Sequence, residues 1–188
     1  MRPVYFFFPL PQHFRSFPNM EHSLITNVPE VLETVTGFVR AVQAGKPRPS
    51  YSWTKLDDGT LRVEVEGPPQ DGLEVTLWTA RTIDGALRRD FRLVSLVNTT
   101  GKPWVHPVFW SGSALPPTES SAAATVYEAY VEPPAEGQGW VAFVIELVFP
   151  SPFPQNGTNF RVSTAVSILP QTFPYPDCYA ESCNGPLV

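Results

Sequence analysis

The residues of this chain that are best suited to catalysis lie near its start. His22 falls within residues 17–24, with the sequence FPNMEHSL, between an apolar run and an amphipathic helical pattern. An imidazole on a short loop can serve as a general base when an acidic group holds its second ring nitrogen. Glu21 is a poor candidate for that group, because adjacent side chains usually point apart. The competing interpretation of His22 is a loop histidine bonded to the backbone.

A base of this kind serves a nucleophile, and the sequence offers none in a suitable setting. The pattern G-x-S-x-G, which presents a serine on a strand–turn–helix elbow, does not occur. The nearest serine-rich turn is residues 111–113 (SGS), which fall among predicted strands. His13 and His106 are isolated in the sequence, and no third ligand accompanies His13 and His22. We therefore predict neither a metal site nor a cofactor.

The composition favours a folded, mainly β protein. The 188 residues are 43% hydrophobic, and the 22 prolines and 12 glycines fall mostly between apolar runs, as turns require. The formal net charge of −5 argues against a nucleic-acid partner, since phosphate binding needs a basic surface. No apolar run approaches the roughly 20 residues of a membrane-spanning helix, so we predict no span.

Two cysteines and two glycosylation triplets favour an oxidising, extracellular environment. The C-x₄-C spacing of Cys178 and Cys183 fits neither a thioredoxin-like motif nor a zinc set, so we favour a disulfide. Asn98 and Asn156 begin N-x-T triplets at predicted surface turns. Residues 4–10 make a poor signal peptide, because they contain a proline and lack a small-residue cleavage site.

Residues 28–44 carry the pattern of an amphipathic helix, with apolar residues at i, i+3, i+4 and i+7. Asn27 is the predicted N-cap, Glu30 stands at the capping-box position, and Gly45 is the predicted C′ residue. Such a helix needs a surface to cover with its apolar face. Upstream, residues 4–8 are either a buried strand or a frayed start, and both interpretations stay open.

Beyond a Pro-rich linker at residues 46–49 the periodicity changes from 3.6 to two. About seven short alternating runs with turn signals between them predict an antiparallel sandwich of the immunoglobulin or fibronectin-III type. The runs are residues 51–56, 61–65, 73–79, 91–97, 125–131, 140–149 and 160–169. We therefore divide the chain into residues 1–46 and a β-sandwich domain of residues 47–188.

Several of these segments together resemble one known family. Residues 17–24, the helix after them, the link at residues 47–53 and residues 90–92 (DFR) resemble the PhoPQ-activated pathogenicity-related proteins, whose eukaryotic members are the autocrine proliferation repressor proteins. The tail, residues 176–188, also looks like the end of a eukaryotic member. The resemblance covers the chain from about residue 15 to its end.

The resemblance implies an α/β-hydrolase domain followed by a C-terminal β-sandwich. Residues 1–46 would then be a remnant of the hydrolase domain, made of a possible strand, the histidine loop and the helix. The resemblance also implies that His22 matches a catalytic-type histidine, and that the serine and the acid lie upstream of this chain. Some members are implied to be secreted signals that restrain proliferation.

Three hypotheses follow. The first is the C-terminal portion of a secreted, autocrine proliferation repressor-like protein that is non-catalytic on its own and acts as an interaction or signalling module, with a possible cell-surface protein partner. The second is part of a serine hydrolase in which His22 is the general base. The third is a free-standing fibronectin-III-like adhesive domain. The sequence leaves the receptor and the oligomeric state open.

Overall fold

The structure, a computed structural model, describes residues 13–20, 23–83, 89, 91, 94–96, 100, 102–105, 108–153, 157–172 and 179. Within these residues the chain is mainly β, with antiparallel sheets and one α-helix, as predicted. The helix α1 spans Val28–Gln43 and follows a short 3-10 helix at Ile25–Asn27. The strands are β1 (Tyr51–Lys55), β2 (Leu61–Glu66), β3 (Glu74–Arg81), β4 (Val94–Leu96), β5 (Pro103–Val105), β6 (Ser111–Ala114), β7 (Glu119–Ser120), β8 (Ala124–Ala129), β9 (Val141–Phe149), β10 (Phe160–Ser163) and β11 (Ser167–Leu169).

The helix α1 begins where its sequence predicts, but the predicted capping box is wrong. Pro29 occupies the first turn, where its missing N–H leaves no helical hydrogen bond unmade. Asn27 precedes the helix without capping it through its side chain. The Asn27 side-chain Nδ2 instead donates to Oε2 of Glu30 at 2.7 Å, so the two residues pair through their side chains.

Gly45 ends the helix α1 at its C-terminal side. Gly45 adopts φ +60°, a conformation in which a residue without Cβ is unstrained. The amide of Lys46 donates to the carbonyl of Ala41 at 3.0 Å, and that of Gly45 to Val42 at 3.1 Å. These two bonds form a Schellman end and satisfy carbonyls that the last helical turn leaves open.

Two antiparallel sheets make up most of the β region. The first has the strand order β1-β2-β8-β7, and the second has the order β10-β9-β3-β6, with β11 also paired to β9. Strands β4 and β5 form a separate two-stranded sheet. In the second sheet β3 pairs with β9 from Glu74 opposite Val148 to Arg81 opposite Val141. The other edge of β9 is shared by β10 and β11.

The two larger sheets share one hydrophobic core. Strand β9 is buried at all nine of its positions, as its nearly continuous apolar sequence predicts. Strand β2 alternates, with its apolar residues buried and its charged residues more exposed. The buried core side chains of these two strands are Leu61, Val63 and Val65 from β2 and Val141, Phe143, Ile145, Leu147 and Phe149 from β9.

Two of the predicted strand runs differ in the structure. The run 91–97 contributes the short strand β4, which pairs with β5 and joins neither larger sheet. The run 160–169 is divided into β10 and β11 around Thr164. The Oγ1 of Thr164 accepts from the Ile145 amide at 3.1 Å, so a side chain replaces one main-chain partner of β9 there. Among the described residues, no helix is both long and apolar enough to cross a membrane.

Candidate functional site

The predicted site residues lie outside the described part of the chain. This is so for His22 and its neighbour Glu21, and for the predicted disulfide and glycosylation residues Cys178, Cys183, Asn98 and Asn156. Their roles stay predictions. The structure does describe the chain on both sides of His22, up to Met20 and again from Ser23.

The segment before His22 is tied to the β region by Asn19. Its Nδ2 donates to the carbonyl oxygen of Trp110 at 2.9 Å, and its Oδ1 accepts from the Trp110 amide at 2.7 Å. Asn19 has φ +59°, a left-handed conformation that asparagine tolerates better than most residues. Trp110 directly precedes β6. Asn19, three residues before His22 in the sequence, is therefore fixed to the residue that precedes β6 of the second sheet.

A second attachment holds the same segment at β10. The Ser163 amide donates to the carbonyl of Phe14 at 2.8 Å, and the Ser16 amide donates to Oγ of Ser163 at 2.8 Å. Ser163 is the last residue of β10 and is buried. Residues 14–16 thus run beside the end of this strand, with two hydrogen bonds to one residue.

Arg15 places a buried cation between these attachments. Its side chain is 5% exposed, and its Nη2 forms an ion pair with Glu30 of α1 and another, at 3.0 Å, with Oε1 of Glu146. The guanidinium carbon also lies 4.7 Å from the ring centroid of Phe17, within range of a cation–π contact. Arg15 therefore joins the N-terminal segment to both the helix and strand β9.

Glu146 is the carboxylate on which this arrangement depends. Its side chain is 7% exposed, in the middle of the apolar strand β9. The indole Nε1 of Trp78 donates to its Oε2 at 2.7 Å, while its Oε1 faces both Arg15 and the Nη1 of Arg161, the latter at 3.8 Å. A buried carboxylate needs such partners, because removing a lone charge from water is strongly unfavourable.

Arg161 extends the pairing back to the helix. Its Nε lies 3.6 Å from Oε2 of Glu33. Five side chains thus alternate in sign, and we call them the ion-pair network: Glu33, Arg161, Glu146, Arg15 and Glu30. Burial lowers the pKa of Arg15, and the carboxylates of Glu146 and Glu30 oppose that shift, so Arg15 stays charged at neutral pH.

His13, isolated in the sequence, lies in an aromatic cluster in the structure. Its ring centroid is 5.0 Å from that of Phe160, 5.9 Å from Phe38 and 5.8 Å from Tyr51, and its Nδ1 is 3.2 Å from the Tyr51 hydroxyl. Burial, and secondarily the charge of Arg48, lowers the pKa of His13. Burial raises the pKa of Tyr51 to about 12. Both groups are therefore neutral at pH 7.

The helix α1 meets the β region with its small and polar face. Gly37 and Ala41 are buried, and a Cβ on Gly37 would stand 2.7 Å from the carbonyl oxygen of Asn159. The opposite face carries large side chains that are between 40% and 58% exposed. We call it the apolar stripe, and it consists of Val28, Leu32, Val35, Val39 and Val42.

The contacts described above attach the N-terminal segment and α1 to the β region. The charges of the ion-pair network face one another, and His13 is neutral among aromatic rings. No group of three or more histidine, cysteine, aspartate or glutamate side chains in the described part could hold a metal ion. Sequence reasoning missed the network, although one signal could have located it. Glu146 is the single charged residue in the apolar run of β9, and a buried carboxylate implies a nearby cation.

The comparisons with known proteins confirm the resemblance inferred from the sequence. A model of the PhoPQ-activated pathogenicity-related protein family matches residues 3–92. The chain is 28% identical over 186 residues to "Autocrine proliferation repressor protein A" of Dictyostelium discoideum, an alignment that covers 93% of this chain and 35% of that protein. The chain thus spans about a third of the length of this curated relative. No solved structure matches the chain.

Proposed function

We propose that this chain is the C-terminal portion of a secreted, autocrine proliferation repressor-like protein, and that it acts as an interaction and signalling module without catalysis of its own. The similarity to a relative with that name over 93% of the chain, and 35% of the relative, supports this proposal. The name of the relative also supports an extracellular location and a cell-surface protein as the partner.

The observation that carries the proposal is the one-sided packing of α1. The helix is fixed to the β region through Gly37, Ala41 and the ion-pair network, while its apolar stripe stays exposed. A helix of a folded protein normally buries such a stripe. An exposed apolar stripe marks a protein–protein interaction surface. The stripe is where the rest of a longer protein would meet this unit.

We infer that residues 47–188 form an immunoglobulin or fibronectin-III-type sandwich. The strand orders support this inference. In the first sheet, β1, β2, β8 and β7 would be strands A, B, E and D of that fold. In the second sheet, β10 and β11 together would be strand G, β9 strand F, β3 strand C and β6 an added strand C′. Residues 1–46 are then the end of a preceding α/β-hydrolase-type domain.

A second function, part of a serine hydrolase with His22 as general base, is favoured by one observation. Asn19 fixes the chain three residues before His22 to Trp110. A catalytic loop needs such support, because a functional side chain must be held by rigid neighbours. In this function the nucleophile belongs to upstream sequence, since the chain has no G-x-S-x-G motif.

The third hypothesis, a free-standing adhesive domain with an accidental helix, is disfavoured by the ion-pair network. Arg15 and Glu30 both lie before residue 46 and pair with one another. Arg15 also pairs with Glu146 in the core of the β region. If the N-terminal extension were accidental, we would not expect β9 to contain a buried carboxylate that pairs with it.

Two experiments test the proposed function. The purified chain is added to growing cultures of cells of its own species, with heat-unfolded chain as the control. We expect the folded chain to slow the rise in cell density; equal growth in both cultures would contradict signalling. In parallel, a fluorophosphonate probe for activated serines should leave the chain unlabelled. Labelling of a serine would overturn the non-catalytic assignment.

A further inference from the structure

We propose that the outer edge of strand β6 binds an extended segment of a partner protein, which adds to the second sheet as an antiparallel strand. This inference goes beyond the proposed function and does not rest on it, because β6 is separate from the apolar stripe of α1. Its support comes from the main-chain groups of β6 that face away from the sheet, from the contact of Asn19 with Trp110, and from the space beside Gly112.

The main chain of β6 offers hydrogen-bonding groups on its outer side. Strand β6 ends the second sheet and, among the described strands, pairs with β3 alone. The amide of Leu115, directly after β6, donates to the carbonyl of Val75 at 2.9 Å. Hydrogen-bonded positions alternate along an antiparallel pair, so the first and third residues of β6 also face β3. The amides and carbonyls of Gly112 and Ala114 therefore face away from the sheet, and no described residue bonds to them.

The contact of Asn19 with Trp110 indicates which kind of partner fits this edge. Trp110 directly precedes β6, and the same alternation directs its amide and carbonyl away from the sheet. Both groups are bonded to the side-chain amide of Asn19, at 2.7 and 2.9 Å. A residue of an antiparallel strand exchanges the same two bonds with the residue opposite it. Asn19 thus occupies the first position along the edge, and Gly112 and Ala114 offer the next two.

The other sheet edges are less suited to an added strand. Ser163, the last residue of β10, is already bonded to residues 14–16. Strands β7 and β11 have two and three residues, and β1 contains Lys55, a charge of the kind that protects edges. All four residues of β6 are exposed, and none is charged or proline. Pro116 and Pro117 follow soon after, so the edge suits a short segment.

The space beside Gly112 selects the side chain of the bound segment. Gly112 lies opposite Trp78 of β3, and a Cβ on Gly112 would stand 3.2 Å from Cζ3 of the indole. The other end of the indole donates from Nε1 to Glu146, which fixes the ring. A strand residue opposite Gly112 directs its side chain to the same face of the sheet, and no glycine side chain separates it from the indole. Aromatic rings cover glycines of neighbouring strands in this way, so we expect an aromatic or large apolar residue there.

A second copy of this chain fits the edge less well. In an antiparallel pair of two β6 strands centred on Ser113, Gly112 of one copy would face Ala114 of the other. The methyl group of Ala114 is too short to cover the indole of β3. The next pair would be Trp110 with Pro116, which has no amide to donate. A segment of a different protein is free of both restrictions.

The test uses the full 188-residue chain and a dye-labelled cyclic β-hairpin peptide. The free strand of the peptide reads threonine, valine, threonine, phenylalanine, threonine, with the amides of valine and phenylalanine on its free edge. The hairpin form lowers the ordering cost of binding. Fluorescence anisotropy measures binding, and hydrogen exchange resolved by residue locates it. We expect the peptide to slow exchange at the amides of Gly112 and Ala114 and to leave β9 unchanged.

Two matched changes each remove one main-chain donor from the interface. N-methylation of the phenylalanine removes a donor of the peptide. Ala114→Pro removes an outward amide of β6 and leaves the bonds to β3 in place, whereas Ala114→Thr keeps this amide and is the control. Because a lost donor leaves its acceptor unpaired, we expect N-methylation and Ala114→Pro each to weaken binding about tenfold or more. If urea unfolding shows that Ala114→Pro does not fold, the N-methylated peptide decides alone.

Several results would overturn the inference. They are no rise in anisotropy at about 1 mM chain, unchanged exchange at Gly112 and Ala114 on binding, or binding that N-methylation or a folded Ala114→Pro protein does not weaken. A dimer in sedimentation with both amides already protected would identify a second copy as the occupant. The proposed function is tested separately. A chain that binds the hairpin but does not slow cell growth loses the signalling role alone, and one that slows growth without binding the hairpin loses the strand site alone.

Discussion

The side chain of Asn19 pairs with the main chain of Trp110 through both ends of its amide. The Nδ2 donates to the carbonyl oxygen at 2.9 Å, and the Oδ1 accepts from the amide nitrogen at 2.7 Å, although the two residues are 91 positions apart. The asparagine of the FPNMEHSL segment therefore has a structural role of its own. It connects the segment before the helix to the loop before β6.

Replacing Asn19 should weaken the fold in a graded order. Asn19→Gly removes both hydrogen bonds but accepts φ +59°, and Asn19→Asp keeps the acceptor alone. We expect the glycine variant to lose about 1–2 kcal/mol of unfolding free energy, and the aspartate variant less, because each such bond contributes about 1 kcal/mol. Urea unfolding measures both. Equal stability of all three proteins would show that the pair contributes nothing.

The ion-pair network should be strongly coupled. Arg15→Met leaves Glu146 buried beside a single, more distant guanidinium, and Glu146→Leu leaves Arg15 without its buried partner. Removing one member of a buried pair costs about 3–5 kcal/mol, whereas replacing both by apolar residues costs much less. We expect the double variant to be more stable than the sum of the two single losses predicts. Additive losses in urea unfolding would contradict direct pairing.

Gly37 should be required for the close approach of α1 to the chain before β10. Gly37→Ala would gain about 1 kcal/mol from helix propensity alone. Its Cβ, however, would stand 2.7 Å from the backbone oxygen of Asn159, which cannot move as a flexible side chain can. We expect a net loss of stability, measured against Gln43→Ala, an exposed change in the same helix. A stabilised Gly37→Ala protein would mean that the helix does not pack this closely.

The lowered pKa of His13 predicts a pH dependence of stability. Because burial favours the neutral ring, the unfolded chain binds a proton more readily than the folded one. Stability from this site is therefore complete above the ordinary histidine pKa of 6.5 and falls as the pH drops through it. Unfolding free energies at pH 7.5 and 5.5 should differ less in His13→Phe than in the parent chain. Equal pH dependence of the two proteins would exclude His13 as a source.

Expression through a secretory pathway tests the predictions at the four covalent sites. We expect Asn98→Gln and Asn156→Gln each to remove one glycan, seen as a step in mass. Cys178 and Cys183 should resist alkylation until a reductant is added. Unmodified asparagines together with freely alkylated cysteines would argue against an extracellular location.

The periodicity of the sequence predicted much of this fold, because helices and half-buried strands have local signatures. Apolar residues recur at the helical period in residues 28–44, and α1 spans Val28–Gln43. In β2 apolar and charged residues alternate at period two. Strand β6 was missed because its sequence, SGSA, contains no large apolar residue, and its position depends on pairing with β3. Long-range pairing of this kind leaves no local pattern.

The same limit applies to the site. His22 is recognisable from its segment, but the pairing of Arg15 with Glu146 joins residues 131 positions apart in the sequence. The face of α1 that packs on the rest of the protein could not be predicted either. The sequence predicted that the apolar face is the packed one, yet the face packed on the β region is the one with Gly37 and Ala41. The half-buried carboxylates of Glu30 and Glu33 pair with arginines and support that orientation.

Hydrogen exchange of α1 tests the central claim most directly, namely that this helix is attached to the β region while its apolar stripe stays exposed. Amide exchange is measured by mass spectrometry in the parent chain and in Arg15→Met, which removes the ion pairs that join Arg15 to α1 and to β9. We predict that this substitution speeds exchange in α1, whereas Gln43→Ala, an exposed change in the same helix, leaves it as in the parent chain. Unchanged exchange in α1 of the Arg15→Met protein would contradict the account.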